Sequence, residues 1–324
     1  WKEVPCTVYK PETPPEVLRA RVMKDNAESG SWDMDMLANE WSDFPLAYWG
    51  VDLPEDWLQD EQEVIEDEAP EVDESEPPKS KLGEIYQLGR HRVFCCDSTV
   101  KENVEKLMDG KKADMVFTDP PYGNAGAAHY GRGELGHRRI LGDEDFSTAE
   151  LSLRNHLDIP QLFFLQWRTF KEAIAYLEDT GKGLKTVAVW DKKNSALGQG
   201  MAEQWEAILI SGDVKYKKFG GNVFRVSREQ KARIDSPHPH QKPIELLVEL
   251  FKFFEATTYI DPFLGSGSTL IACEQTDRTC YGCELDPRYI DVIIRRFVKF
   301  TNGEQEVIRL SDGKDVRQEY SVIQ

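Results

Sequence analysis

The sequence predicts an α/β fold, a largely parallel sheet covered by helices, with a second and smaller unit ahead of it. Three observations carry this expectation. Short apolar runs alternate with longer segments of helical period over most of the chain beyond residue 80. One run, Val116-Phe117-Thr118, ends in an acid and two prolines, and a second, Tyr259-Ile260, ends in Asp261-Pro262 and a glycine loop. Strand ends of this kind lie where α/β folds place their chemistry, beyond the carboxyl edge of the sheet. A length of 324 residues suffices for one sizeable core plus a smaller unit.

In chain order, the runs EIYQL and RVFCC flank Gly89-Arg90-His91 and read as a β-hairpin. Strands are then expected at Met115 to Thr118, Thr186 to Trp190, Ala207 to Ser211, Thr258 to Asp261 and Cys280 to Glu284. Helices are expected over 100–109, 161–178, 242–255, 265–275 and 287–300. Trp167, Trp190 and Trp205 are expected in the core. No internal repeat is visible. No apolar run approaches the ~20 residues needed to cross a bilayer. The first residue is Trp1 and no secretory signal follows it, so the expectation is a cytoplasmic chain trimmed at its N-terminus.

Charge divides the chain more sharply than hydrophobicity does. The formal net charge is −18, yet residues 77 onward hold 36 acids against 35 bases. Residues 55–76 hold twelve acids and no Lys or Arg, and residues 1–54 ten acids against five bases. The stretch 55–80, with Pro70, Pro77 and Pro78, therefore reads as an extended, self-repelling acidic linker. Residues 1–54 read as a small helical segment, with helical spacing over 14–48. Residues 81–324 read as the main domain. A neutral body can bind a polyanion through a local basic surface, so overall acidity excludes no nucleic-acid function.

The six cysteines, at 6, 95, 96, 273, 280 and 283, have no framework spacing and sit largely in apolar runs. They are expected as buried thiols. Cys280 and Cys283 form one CxxC without a second pair or a histidine at zinc spacing, so no metal site is expected.

The chemistry is concentrated in two segments. In Asp119-Pro120-Pro121-Tyr122 the prolines fix φ and remove backbone donors, which holds the carbonyls near Pro120 as rigid acceptors beside the Asp119 carboxylate. Two acceptors suit an amino group carrying two hydrogens. Hydrogen bonds to both draw an aromatic amine toward sp3 geometry and free its lone pair for attack on an electrophilic methyl. Tyr122 would stack on a base turned out of its duplex, a contact worth ~1 to 3 kcal/mol.

The second segment is Tyr259-Ile260-Asp261-Pro262-Phe263-Leu264-Gly265-Ser266-Gly267-Ser268-Thr269, a strand running into a glycine loop that opens a helix. Glycines let the backbone approach a ligand, and the helix N-terminus favours an anion. Glu284 ends the next strand about twenty residues on, the position of the acid that accepts ribose hydroxyls in nucleotide-binding folds. The spacing matches neither the phosphate-binding loop nor a full GxGxxG, so a smaller nucleoside ligand is favoured over ATP or NAD.

The pairing of Asp-Pro-Pro-Tyr with a later DPFLGSGST resembles the amino-methylating DNA methyltransferases, and the order of the motifs is similar to that of their β group. The likeness covers roughly 80–310. It implies a Rossmann-like fold with a mostly parallel sheet of seven strands, one of them antiparallel. It also implies S-adenosylmethionine (SAM) as cofactor, double-stranded DNA as partner, a site-specific enzyme of restriction-modification type, and homodimers as the usual assembly. Asp119, Pro120, Pro121 and Tyr122 are carried over as catalytic. Asp97, Asp261, Phe263, Gly265, Ser266, Gly267, Ser268, Thr269 and Glu284 are carried over as cofactor-binding, with Asp97 near the adenine and Phe263 lining the pocket. Lys242, in His238-Pro239-His240-Gln241-Lys242-Pro243, is expected to face the methionine carboxylate; family members usually have Thr where this chain has His240.

Residues 213–236 carry seven bases against three acids with aromatics interleaved. They lie where the β group places its target-recognition segment, near 212–237. Lys215, Lys217, Lys218, Arg225 and Arg228 are therefore expected at DNA, together with Arg138 and Arg139 in the glycine-rich loop 123–144. The acid at 119 favours adenine N6 as target over cytosine N4, whose enzymes often have Ser there. Methylation of RNA or of a protein amide, for which related folds usually carry Asn there, is a further alternative. The N-terminal segment resembles the distal part of a ParB-like domain, and a non-catalytic DNA-binding or adaptor protein is the reading from another class.

Overall fold

The computed structural model describes residues 64–67, 69–72, 76–121, 146–193, 204–217, 221–227 and 241–320, with isolated positions before 64. The chain forms two compact units, residues 1–62 with 216–221, and residues 63–215 with 222–324. The helical segment expected over 14–48 lies outside the described residues apart from scattered positions.

In the second unit the hairpin is β1 (Ile85–Leu88) and β2 (His91–Cys95), followed by α1 (Lys101–Met108), β3 (Met115–Thr118) and α2 (Ser147–Arg154). Then come β4 (Gln161–Leu165), a 3-10 turn at Trp167–Thr169, α3 (Phe170–Asp179), β5 (Leu184–Asp191), β6 (Trp205–Ser211) and β7 (Val223–Arg225). The last stretch holds α4 (Ile244–Phe251), β8 (Thr258–Asp261), α5 (Ser268–Gln275), β9 (Thr279–Glu284), α6 (Pro287–Phe300), β10 (Val307–Arg309), β11 (Lys314–Asp315) and α7 (Arg317–Tyr320).

Among the described residues eleven strands form one sheet in the order β11-β10-β1-β2-β9-β8-β3-β4-β6-β5-β7. The run from β2 to β5 is the expected sheet of seven strands. Its neighbours pair in parallel except at β6, which is antiparallel to both β4 and β5. The sequence reading omitted β7, β10 and β11 because they are two or three residues long, too short for any period to show. They lengthen the sheet at both margins, which shields edges that would otherwise offer unpaired backbone groups.

One element is corrected. The segment 161–178, expected as a single helix, is strand β4, a 3-10 turn and helix α3. All five residues of β4, QLFFL, are buried. A strand covered on both faces reads as a continuous apolar run, which periodicity alone does not separate from buried helix. The helix expected from 265 instead begins at Ser268, because Gly265 and Gly267 take φ of +54° and +90° and keep the loop out of helical geometry. A Cβ on Gly267 would also lie 3.2 Å from Ile293 Cγ1.

The core runs along both faces of the sheet. On one side Phe117 of β3 meets Phe164 of β4, Phe251 of α4 and Tyr259 of β8 edge to face at 6.0, 4.8 and 5.8 Å between ring centroids. Phe251 stacks on Tyr259 at 4.4 Å. This aromatic group lies under the ends of β3 and β8 and makes both rigid platforms. The thiols of Cys95, Cys96, Cys273, Cys280 and Cys283 are free and buried. Among the described residues no helix is long and apolar enough to cross a membrane.

Candidate functional site

Four parallel strands set out a row of acids. In the order β2, β9, β8, β3 their carboxyl ends lead to Asp97, Glu284, Asp261 and Asp119. The register places Cys95 opposite Glu284 and Asp261 opposite Gly282, so the acids line one edge of the sheet. The chain leaves β8 toward β9 on one side and β3 toward β4 on the other. The adjacent pair β8 and β3 is thus a topological switch point, where open α/β sheets form a crevice.

The glycine loop is held from three directions. Asp261 is buried and engaged by three protein donors: Thr118 Oγ1 donates to Oδ1 at 2.6 Å, the Phe263 amide to Oδ1 at 3.0 Å, and Thr269 Oγ1 to Oδ2 at 2.6 Å. Burial pushes its carboxyl up to about 6 against the opposing pull of these donors. Asp261, expected at the cofactor, shapes Phe263 and the first turn of α5 through these bonds. From the second direction the Gly265 amide donates to Glu284 Oε2 at 2.9 Å. From the third, Arg296 Nη1 donates to the Ser266 carbonyl at 3.0 Å and to Ser268 Oγ at 3.3 Å. Phe263 is half-buried beside this loop.

Glu284 differs from Asp261 in what it leaves open. Its Oε2 accepts from Gly265 and its Oε1 from the Asp286 amide at 2.9 Å, and a carboxylate oxygen has lone pairs for more than one donor. Surrounding protein pushes its carboxyl up to about 7, burial being the main cause. Asp97 is exposed, and a local turn fixes it: Oδ1 accepts the Thr99 amide at 2.9 Å and Thr99 Oγ1 at 2.7 Å.

At the end of β3, Pro120 is buried and Asp119 and Pro121 are half-buried. Lys242, expected to face a carboxylate of the cofactor, is buried between two carboxylates of the chain. Its Nζ lies 2.5 Å from Asp119 Oδ2 and 3.2 Å from Glu206 Oε2. It sits over the rings of Phe164 and Trp190, at 5.0 and 5.8 Å from their centroids. Glu206 Oε1 pairs in turn with Lys192 at 2.6 Å. Burial alone would drive Lys242 down, but Asp119 and Glu206 outweigh it and hold the ammonium above its ordinary value. Burial would raise Glu206, and the two lysines reverse this and bring it to about 2. The sequence reading missed Glu206 and Lys192. The available signal was an acid opening the otherwise apolar run Glu206-Ala207-Ile208-Leu209-Ile210.

Of the residues expected at DNA, Lys215 and Arg225 are exposed in the second unit, and Arg225 Nε lies 3.8 Å from Asp191 Oδ2. Lys217 is exposed and belongs to the first unit. Tyr122, Arg138, Arg139, Lys218 and Arg228 lie outside the described residues. Trp190 is buried as expected and donates Nε1–H to the Val226 carbonyl at 2.8 Å. Trp167 and Trp205, also expected in the core, are 55% and 45% exposed. They stand at element boundaries, Trp167 opening the 3-10 turn and Trp205 opening β6.

Comparison with known proteins adds the following. A family model described as DNA methylase matches residues 113–295. The Type II methyltransferase M.HhaII of Haemophilus parahaemolyticus is 25% identical over 195 residues, which is 56% of this chain and 86% of that protein. The Type II methyltransferase M.Cfr9I of Citrobacter freundii is 46% identical over 53 residues, 16% of each chain. Among solved structures, an M1.HpyAVI complex with SAM is 20% identical with a TM-score of 0.46, covering 63% of this chain and 98% of that one.

Proposed function

We propose, from the premise that this chain belongs to the DNA methylase family, that it transfers a methyl group to the exocyclic amino group of a base in DNA, with adenine N6 as the target. The observation that carries this reading is the placement of Asp119 and the rigid Pro120-Pro121 backbone one strand away from the loop 263–269, at the switch point of the sheet.

SAM fits the donor set at that loop. Glu284 keeps acceptor capacity on both oxygens beside the backbone of Gly265, which suits a ribose diol. Gly265 and Ser266 have no bulky side chain to fill the space ahead of helix α5. When bound, SAM supplies an electrophilic methyl on a sulfonium.

The chain's own residues do the rest. Asp119 and the Pro120 carbonyl accept the two amine hydrogens, which localises the nitrogen lone pair and aims it. Methylation, with the electrons of the donor's S–C bond staying on sulfur, would release one proton from the amine, which the half-exposed Asp119 carboxylate can take up and pass to solvent. Lys242, held by Glu206, whose other oxygen pairs with Lys192, fixes the rotamer of Asp119 for the amine. Tyr122 is assigned the stacking role on the target base. Lys215, Lys217, Lys218, Arg225, Arg228, Arg138 and Arg139 are assigned to the DNA phosphates and groove.

The direct test is incubation with SAM and unmethylated genomic DNA, followed by digestion to nucleosides and mass spectrometry. N6-methyladenine is expected. N4-methylcytosine would keep the mechanism and change the base, and no methylated base from a SAM-binding protein would overturn the reading.

A pH dependence follows from Glu284. Its carboxyl titrates at about 7 against an ordinary 4.5, so the ligand-free fold gains stability from it below 4.5 and loses that gain as pH rises through 7. Ribose hydroxyls favour the ionised form, so SAM binding is expected to release a proton and to tighten by up to about tenfold per pH unit between 5 and 7. Calorimetry in buffers of different ionisation enthalpy measures that proton, and Glu284→Gln should abolish the pH dependence.

A further inference from the structure

Within the acidic segment expected as a self-repelling linker, the described residues from 65 onward are bonded to the rest of the second unit. The Ile65 peptide is clamped by the Gln275 amide, with Ile65 N donating to Oε1 at 3.0 Å and Nε2 donating to Ile65 O at 2.7 Å. Glu66 receives the amides of Ile244 and Glu245 at 3.1 and 2.5 Å, which closes the first turn of α4 directly after Lys242 and Pro243. Asp67 forms a two-pronged pair with Arg296, 2.7 Å to Nε and 2.5 Å to Nη2, while its carbonyl accepts from Gln241 at 3.2 Å. Further along, the Glu71 carbonyl accepts from Arg295 at 3.1 Å.

Arg296 makes this more than surface packing. It is 1% exposed, on the apolar face of α6. Its guanidinium joins Asp67 on one side to the Ser266 carbonyl and Ser268 Oγ on the other. Among the described residues Asp67 is the carboxylate that neutralises it. The segment therefore touches both ends of α5, through Gln275 at one end and through Arg296 and the glycine loop at the other. It also touches the start of α4, which follows Lys242.

We propose that residues 65–67, with 69–71 following, form a strap that sets the glycine loop for cofactor binding, with Asp67 and Arg296 as its positioning residues. The inference rests on the reading of that loop as the SAM site. Neither residue is asked to touch the cofactor. Without Asp67 the buried guanidinium keeps only neutral acceptors, and it must either shift toward water or draw the Ser266 peptide with it. Both outcomes move the loop that Gly265 and Glu284 frame.

The test is calorimetric titration of SAM into the full chain, wild type against Asp67→Ala, with thermal unfolding followed in parallel. The dissociation constant for SAM is expected to rise about tenfold, equivalent to about 1.4 kcal/mol. KM for SAM should rise with it while KM for DNA stays unchanged, a split that general loss of structure would not produce. Asp67→Glu, which keeps the charge, should recover part of the affinity. If Asp67→Ala fails to fold, Asp67→Asn, which retains one acceptor oxygen, is expected to show a smaller rise in the same constant. A wild-type chain that binds SAM, with folded Asp67 variants that bind it equally well, would overturn the strap. A wild-type chain that binds no SAM would instead overturn the reading of the loop beneath it.

Discussion

Asp119→Ala is expected to lower the rate of methyl transfer by about 10²- to 10³-fold or more, the usual cost of deleting one preorganised group at the reacting atom, while SAM binding stays within a few-fold of wild type. The separation of the two effects follows from position. Asp119 lies beyond the end of β3, whereas the glycine loop is framed by Asp261, Glu284 and Arg296 on other elements. Thr118, next in sequence, belongs to the loop's support through its bond to Asp261, so the substitution must stop at 119 to be informative. Asp119→Asn sharpens the test: it keeps the volume and one acceptor oxygen but gives up the charge that faces Lys242. Turnover retained in the alanine variant would remove the carboxylate from the mechanism. Single-turnover kinetics at saturating SAM is the measurement.

Lys242→Met is the second large effect, and it is expected first in stability. The ammonium is buried between Asp119 and Glu206, and its removal leaves like charges facing each other, with Lys192 still paired to Glu206. Breaking a buried pair by deleting one partner costs roughly 3 to 5 kcal/mol. The lower end is expected here, because Lys192 still pairs with Glu206 and Asp119 is partly exposed. Urea unfolding at neutral pH measures it, and adding Glu206→Gln to Lys242→Met should recover part of the loss. The acid side gives an independent check. Glu206 sits at about 2 against an ordinary 4.5, so its pairing stabilises the fold fully above 4.5 and is lost as pH falls through 2. In Lys242→Met that acid-side loss should shrink. Equal stability of variant and wild type would mean that the pair contributes nothing net. Activity should fall as well, since Asp119 loses the contact that fixes its rotamer.

The two motifs were legible because each is local. Asp119-Pro120-Pro121 and the loop from Asp261 to Thr269 are contiguous stretches whose geometry follows from proline, glycine and a strand end. Helix α6 was equally plain, its apolar stripe delimiting residues 287–300 as observed. Strand β4 was not, because five buried residues between β3 and β6 carry no period that distinguishes them from helix.

By itself, then, the sequence determined the fold class, the order of the chemical motifs, and the acids at the ends of the parallel strands, since these depend on local backbone preference and on burial of apolar runs. Only the tertiary structure decided which charges meet. It turned Lys242 toward Asp119 and Glu206, joined Asp261 to Thr118 and Thr269, and laid an acidic segment, repulsive when read alone, across Arg296 and the start of α4. The physical reason is that a Coulombic contact depends on separation in space. Asp67 and Arg296 stand 229 positions apart in sequence, and only the folded sheet brings the helices that hold their partners together.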